Sequence, residues 1–341
     1  MRKTVRIGIV GLVHDHVWGV LNQFVALENA EVTCAADVNE PLLKRAKDLG
    51  VMKTYKRYED LLAEEKIDAV IVYTENSRAA DVTEAAAERG LHVMVEKPMA
   101  ANLRQAQRMY RAAEKSGVRL MVNYPTTWSP VVRHAGKLAQ EGVVGRIYQV
   151  KYRAGHEGPK EIGCSKYFYE WLYDEKLNGA GAFIDFCCYG ANICRWILGV
   201  PKKALALGGT YVRDYLTVED NAVLLMGYEN AIGIAEATWS QVGSGGPLQY
   251  PLMLKGSEGT IAAGQDLLVY TSEKHCWKKI EPPPIEKPNQ NGPEHFVSSI
   301  LEEKPFEGSV SASHNLDVQA ILEAGLVSMR EGRAVPLNEL V

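Results

Sequence analysis

Over the first 122 positions the apolar residues fall into short continuous runs at Val5-Val10, Val32-Ala36, Ala69-Tyr73, His92-Val95 and Val118-Val122. Between them, apolar positions recur at helical spacing: Val17, Val20, Leu21, Phe24 and Val25 share one stripe. A strand that is apolar on both faces is buried on both, and a helical stripe linking two such strands is a crossover helix. Asn39 and Asn102 stand where N-caps belong, and Gly50, Gly90 and Gly117 where helices stop. This pattern predicts an α/β domain over residues 1–122, a doubly wound parallel sheet of the Rossmann type.

Beyond residue 122 the alternation breaks. A helical stretch (Val131-Glu141) leads into a long strand (Ile147-Arg153), an aromatic segment and a helix over Ala182-Leu198. Strand-like segments follow, "ALALGGTYV", "NAVLLMGY", "AIGIAEATW", "YPLMLKG" and "LLVYTS". A proline-rich loop, "EPPPIEKPNQNGP", then precedes helices at His295-Glu302 and His314-Glu331. Strands and helices that do not alternate predict an α+β domain over 123–341 with a large, mainly antiparallel sheet. Its terminal helices are free to pack back on the first domain.

The length of 341 residues agrees with two domains. Acids and bases are well mixed around a formal charge of -4, which removes the basic stripe that nucleic acid requires. No apolar run reaches the roughly 18 to 20 residues of a membrane span, and "MRKTVRIGIV" runs into a strand without a signal-peptide core. A cytoplasmic protein with no membrane partner is expected. Cys34, Cys164, Cys187, Cys188, Cys194 and Cys276 form no CxxC pair and are expected to be reduced.

Chemistry begins in the first turn, "RIGIVGLVHDHVWGVL". A strand, a glycine turn and a helix N-terminus make an anion site for a pyrophosphate. Of the three glycines of G-x-G-x-x-G only Gly11 is present; Val13 and His16 hold the other positions. A turn with no ligand therefore stays open on the motif alone. Asp37 ends the second apolar run 26 residues after Gly11, where an acid meets the adenosine ribose hydroxyls. Val38, Asn39 and Glu40 follow it with no arginine, which favours NAD over NADP. His14, Asp15 and His16 include metal-ligand types, but no second cluster completes a set of three or four ligands. The expectation is no metal, with His14 and His16 on the phosphate or nicotinamide side.

At the end of the fourth apolar run, "VMVEKPMA" puts Glu96, Lys97 and Pro98 at the mouth of the crevice where such sheets bind ligands. A solvated lysine at a strand end is the plain alternative. On a helix over Ala182-Leu198, Asp185, Tyr189 and Asn192 fall at i, i+4 and i+7 on one face, behind Gly179 and Gly181, which permit close backbone approach. Polar groups on an apolar helix need polar company, either within the protein or from a substrate. His156, in "YRAGHEG", is the best single candidate for a further substrate contact.

The ordered set of Gly11, Asp37, "TEN" (Thr74-Asn76), "EKP", "GVVGRI", the Asp185 helix, "AEATW" and "KGSEGTI" resembles the Gfo/Idh/MocA oxidoreductases over nearly the whole chain. The resemblance implies an NAD(P) domain followed by a substrate domain whose open sheet often joins subunits, here a homodimer or homotetramer. It maps the family lysine to Lys97 and the helix aspartate to Asp185. Many members continue D-x-G-x-H-x-x-D; here Cys187, Tyr189 and Asn192 replace the glycine, the histidine and the last aspartate. The Tyr/Asn form resembles the branch in which a tyrosine is the acid/base. It implies cofactor contacts at Gly11, Val13, His14, His16, Asp37, Thr74, Asn76, Glu96, Lys97 and Asn123, and substrate contacts at His156, Asp185, Tyr189 and Asn192. The function implied is hydride transfer between NAD and a secondary hydroxyl or carbonyl of a sugar, polyol or sugar derivative. Two alternatives are a glycoside-processing enzyme that retains NAD for transient oxidation, and a non-catalytic ligand-binding relative.

Overall fold

The chain is described by a computed structural model covering residues 4–243 and 251–340. Six strands, β1 (Val5–Val10), β2 (Ala30–Ala36), β3 (Lys53–Tyr55), β4 (Ala69–Val72), β5 (His92–Glu96) and β6 (Leu120–Asn123), form one sheet in the order β3-β2-β1-β4-β5-β6. Every pairing in it is parallel. Helices α1 (His16–Val25), α2 (Glu40–Asp48), α3 (Tyr58–Glu64), α4 (Ala79–Ala87) and α5 (Leu103–Ser116) make the crossovers. Ile7, Ile9, Val70, Ile71, Val93 and Met94 are all within 1% of full burial, as continuous apolar strands require. The sequence pattern finds five of these strands and misses β3. That strand is three residues long, on the sheet edge and polar at Lys53 and Thr54, so it carries no hydrophobic signal.

The second sheet is built from β7 (Ile147–Gly155), β8 (Lys203–Gly209), β9 (Asn221–Gly227), β10 (Ile232–Thr238), β11 (Leu252–Gly256), β12 (Gly259–Ala263), β13 (Leu267–Thr271), β14 (Cys276–Ile280) and β15 (Val335–Pro336). Its order is β14-β13-β12-β11-β7-β10-β9-β8-β15, and only β7 and β10 run parallel. The α+β expectation is met, with β12, β14 and β15 added to the strands named from the sequence. Tyr250, the first residue of "YPLMLKG", lies outside the described residues.

Burial alternates residue by residue along β7, β9, β10 and β11. One face of the sheet, with Val150, Tyr152, Leu224 and Ala235, is buried. Against it lie α9 (Cys188–Leu198) and α11 (Ala312–Glu331). The other face carries Leu207, Val223, Leu225 and Ile232 exposed. Between β6 and α9 come α6 (Pro130–Gln140), α7 (Lys166–Leu172) and α8 (Glu175–Asn178). Helix α10 (Gly292–Leu301) packs on α1, and α11 lies between β8 and α5, so both terminal helices meet the first domain.

The segment expected as one helix over Ala182-Leu198 is instead a π-helical turn, Phe183–Cys187, followed by α9. The wider turn is held open from afar. Glu219 Oε1 accepts from the backbone N–H groups of Gly181 (2.7 Å) and Phe183 (2.9 Å), taking up donors that a helix start leaves unpaired. A Cβ on Gly179 would run into the Ala101 carbonyl, and one on Gly181 into that of Glu219, so both glycines serve close approach as expected.

Candidate active site

Lys97, just past the C-terminal end of β5, is 3% exposed. Its Nζ donates to Asp185 Oδ1 at 2.6 Å and to the Asp185 carbonyl at 3.2 Å. Trp239 Nε1 donates to the other carboxylate oxygen at 3.0 Å, so both Asp185 oxygens are engaged. Burial alone would strip the lysine of its proton. The Asp185 carboxylate, followed by Tyr189, more than reverses that and holds the ammonium well above lysine's ordinary value. Burial likewise opposes ionisation of Asp185, and Lys97 overrides it, leaving the carboxyl below its usual range. The result is a preformed ion pair between the two domains. A solvated lysine is excluded.

Tyr189 sits one turn beyond Asp185 with its ring 4.9 Å from Lys97 Nζ. Burial pushes its phenol well above 10, and the nearby ammonium only partly offsets this. The side chain is therefore a neutral proton donor, within an aromatic group that includes Tyr124 at 5.6 Å and Tyr152 at 6.1 Å. His156 follows β7 and packs edge-on against Phe186 at 5.1 Å. Its Nδ1 accepts the Gly158 N–H (3.0 Å), which leaves the proton on Nε2 in the neutral ring; burial lowers its pKa, and Asp185 counters this only in part.

Asn192 finds polar company within the protein: its amide donates to the Ser309 carbonyl (2.8 Å) and Asn315 Oδ1 (3.1 Å). Two causes act together: the π turn rotates α9 relative to Asp185, and α11 presents Asn315 to it. Asn76 has partners of the same kind. It is buried, bonds Asn178 through its amide (2.8 Å), and ties the first domain to α8 rather than lining a nucleotide cavity.

A cavity of about 380 Å³ lies at the C-terminal edge of the parallel sheet, lined by Gly11, Val13, Asp37, Thr74, Arg57 and others. Gly11 has φ of 81° and passes so close to Thr74 that a side chain there would collide with it. Asp37 Oδ1 accepts both the backbone N–H (2.7 Å) and the side-chain amide (2.9 Å) of Asn39, while Oδ2 accepts the Leu12 N–H at 2.7 Å and keeps lone-pair capacity for a ribose hydroxyl. Toward β5, three buried polar atoms, Glu96 Oε2, Tyr73 Oη and Tyr124 Oη, make no hydrogen bond of good geometry among the described residues. Orphaned groups at the mouth of a nucleotide crevice fit a polar ligand that supplies their hydrogen bonds. Asn123 is buried beside them with its carbonyl spent on Trp128 Nε1 (2.9 Å).

The histidine pair gains the third acid that the sequence lacked. His16 Nδ1 stands 3.2 Å from Glu96 Oε1, and ligand atoms of His14, His16 and Glu96 lie within 4.8 Å of one another. His14 Nδ1 accepts the His16 N–H at 3.3 Å, and burial, with the charges of His16 and Lys97 behind it, keeps the ring neutral. Phe168 (4.3 Å) and Trp171 (5.8 Å) of α7 cover His14, while Asp15 accepts both Ser165 N–H and Oγ–H at 2.7 Å. Nothing in the local sequence shows that grip, nor the role of Trp239, although "AEATW" contains it.

Residues 5–124 match the Gfo/Idh/MocA oxidoreductase family in its NAD-binding Rossmann fold, and residues 132–262 match the family's C-terminal domain. The chain belongs to the Gfo/Idh/MocA oxidoreductases. It is 24% identical to D-apiose dehydrogenase of Paraburkholderia graminis, covering 96% of this chain and 87% of that protein. It is 23% identical to myo-inositol 2-dehydrogenase of Thermotoga maritima over 68% of this chain and 67% of the other. A levoglucosan dehydrogenase solved with NADH and levoglucosan has a TM-score of 0.83 and 19% identity, covering 98% of this chain and all of that one. In this oxidoreductase the cavity at Gly11 and Asp37 belongs to the NAD-binding domain. No helix among the described residues is long and apolar enough to cross a membrane.

Proposed function

We propose that the chain transfers a hydride between NAD and a secondary hydroxyl or carbonyl carbon of a sugar, polyol or sugar derivative. The observation that carries this reading is the buried Lys97–Asp185 pair with Tyr189 stacked on the ammonium. Bound NAD supplies the hydride acceptor or donor. Lys97 has three N–H groups, two of them held by Asp185, so the third is left to bind the substrate oxygen. Asp185 positions Lys97 and keeps it charged. In the reducing direction Tyr189 donates its phenol proton to the carbonyl oxygen as hydride reaches the carbon. In the oxidising direction Tyr189 must first give up its own proton to solvent; the phenolate, stabilised by the nearby ammonium, then takes the hydroxyl proton as hydride leaves the carbon. His156 offers its Nε2–H to another substrate hydroxyl.

On the cofactor side, Gly11, Val13, Asp37 and Thr74 hold the adenosine half; Glu96, His14, His16 and Asn123 face the nicotinamide half. We read the histidine cluster as part of that cradle and not as a metal site. With Nδ1 accepting a backbone N–H, the neutral His14 carries its proton on Nε2 and has no free lone pair for an ion. The exposed apolar residues Leu207, Val223, Leu225 and Ile232 suit a contact between copies of the chain, a homodimer or homotetramer.

A second reading has its own observation. Phe168 and Trp171 over His14, fastened through Asp15 and Ser165, cover the nucleotide side and favour a retained cofactor, as redox-neutral glycoside processing requires. One experiment separates the two. The purified protein is assayed for bound nucleotide, then incubated with sugars and glycosides with and without added NAD. Reduction of added NAD supports the dehydrogenase; turnover without added NAD and without net reduction supports the second reading; neither activity on any member of the panel rejects both.

A further inference from the structure

Two helices that meet at the nucleotide end begin without the side-chain cap their sequences supply. Asp15 stands at the N-cap of α1 and Ser165 at the N-cap of α7, and neither side chain accepts a hydrogen bond from its own helix. Both are residue types that cap well, and Ser165 already has the extended backbone that a cap requires. They bind each other instead, across 150 residues of chain: Asp15 Oδ1 accepts from Ser165 Oγ and Oδ2 from the Ser165 N–H, both at 2.7 Å.

The exchange changes the electrostatics of both helix starts. An aspartate folded onto the start of α1 would set a negative charge against the pyrophosphate that this strand, glycine turn and helix are built to receive. Drawn over to Ser165, the same carboxylate lies at the start of α7, where the helix dipole favours it. Helix α7 carries Phe168 and Trp171, which pack on His14 at 4.3 and 5.8 Å and on each other at 5.5 Å. The chain enters α7 through Gly163, which has φ of 82° and open space where a side chain would stand, so the segment can swing there without a clash. Two other links between the domains, Lys97 to Asp185 and Asn76 to Asn178, do not involve Asp15 or Ser165. Parting Asp15 from Ser165 therefore uncovers His14 while the domains stay joined.

We propose that Asp15 and Ser165 are positioning residues that set the residence time of the cofactor, with α7 as a cover that unfastens before NAD or NADH leaves. The proposal rests on the reading that His14 faces the nicotinamide half. Neither residue touches the reacting atoms; both act through Phe168 and Trp171. A firm pair retains the nucleotide, and a weak one lets it exchange at every turnover.

The test follows release of the nucleotide, so that it does not depend on the substrate. The purified protein is loaded with NADH and mixed with a large excess of NAD in a stopped-flow instrument, and the loss of bound NADH fluorescence gives the release rate. Ser165→Ala removes one of the two hydrogen bonds and Asp15→Asn removes the charge; each is expected to speed release by about tenfold with little change in the association rate. The double variant is expected to release no faster than the faster single one, because both changes break the same contact, and Ser165→Thr, which keeps the hydroxyl, to release at the parent's rate. A parent that holds its NADH throughout the chase while both single variants lose it gives the same support. Release unchanged in either single variant, even with a lowered melting temperature, overturns the proposal, because the contact is then structural only. Slower release in Asp15→Asn, which would make the carboxylate a mere charge beside the pyrophosphate, also overturns it, as do effects that multiply in the double variant. If the parent binds no NADH, the reading of the nucleotide end fails together with the proposal; bound NADH with unchanged release rejects the proposal alone.

Discussion

The catalytic end and the nucleotide end of the cleft are built on opposite terms. At the catalytic end every polar atom of the central pair has a partner: Lys97 bonds Asp185 twice, and Trp239 takes the remaining carboxylate oxygen. At the nucleotide end, a few residues away along the same strand edge, Glu96 Oε2 and Tyr73 Oη are buried without a hydrogen bond of good geometry among the described residues. In the ion pair each group offsets the other's desolvation before any ligand arrives, whereas groups without a good hydrogen bond await the ligand that completes them. The first end is preorganised for chemistry, and the second is completed by the cofactor.

Removing Lys97 tests that contrast most severely. Lys97→Ala leaves a buried Asp185 carboxylate without its cation, so turnover falls by roughly 10³-fold and the fold weakens by about 3–5 kcal/mol. NADH titration should give an affinity close to that of the parent, because the adenosine cavity is lined by other residues. Near-normal turnover would remove Lys97 from the mechanism. Tyr189→Phe isolates the proton step: turnover drops by roughly 10²–10⁴-fold while the melting temperature holds, since only a hydroxyl is lost. Retention of the parent's rate and pH–rate profile would exclude the tyrosine.

Each end also leans on a histidine that burial keeps neutral. His314 Nε2 lies against the Asn192 carbonyl at 3.1 Å behind the catalytic helix, and burial lowers its pKa to about 4; burial also holds His14, at the nucleotide end, well below the ordinary histidine value. Above about pH 6.5 both folded and unfolded chains hold these rings neutral. Between about 6.5 and 4 the unfolded chain binds protons that the folded one refuses, so stability falls as pH falls through that window, by ~3 kcal/mol for His314. Urea midpoints at pH 7, 5.5 and 4.5 should decline, and the decline should be shallower in His314→Gln.

The smallest expected effect separates the two ends most cleanly. Glu96→Gln removes an acid at the nucleotide end whose Oε1 meets His16 Nδ1 at 3.2 Å. NADH affinity should weaken by about tenfold, close to 1.4 kcal/mol, while the unliganded protein melts at the same temperature or higher. A loss of stability without loss of affinity would mean that Glu96 is a scaffold group like Asp185.

Most of the scaffold was legible along the chain. Strands β1, β4 and β5 are apolar on both faces and so announce a covered parallel sheet, while β9 and β10 alternate and announce a half-covered one. The misses have physical causes. Strand β3 is too short and polar to register, and a π turn uses the same residue types as the α-helix it interrupts. Asn192 stands out as a polar residue on an apolar helix and Asn76 through the "TEN" motif, and the amide partners they meet, Asn315 and Asn178, come from distant parts of the chain. His14 and His16 lacked a third acid until the fold brought Glu96 beside them from 80 residues away.

By itself the sequence determined the parallel sheet, the glycine turn with Asp37 at the next strand end, and the lysine at the mouth of the crevice. Each of these is set by periodicity or by position relative to a strand terminus, which are local properties. Only the tertiary structure decided what Lys97 does. Its partner lies 88 residues on, that partner's second ligand is a tryptophan from another strand, and Tyr189 meets the ammonium through its ring. Contacts of that range depend on how two domains close on each other, and no local pattern encodes them.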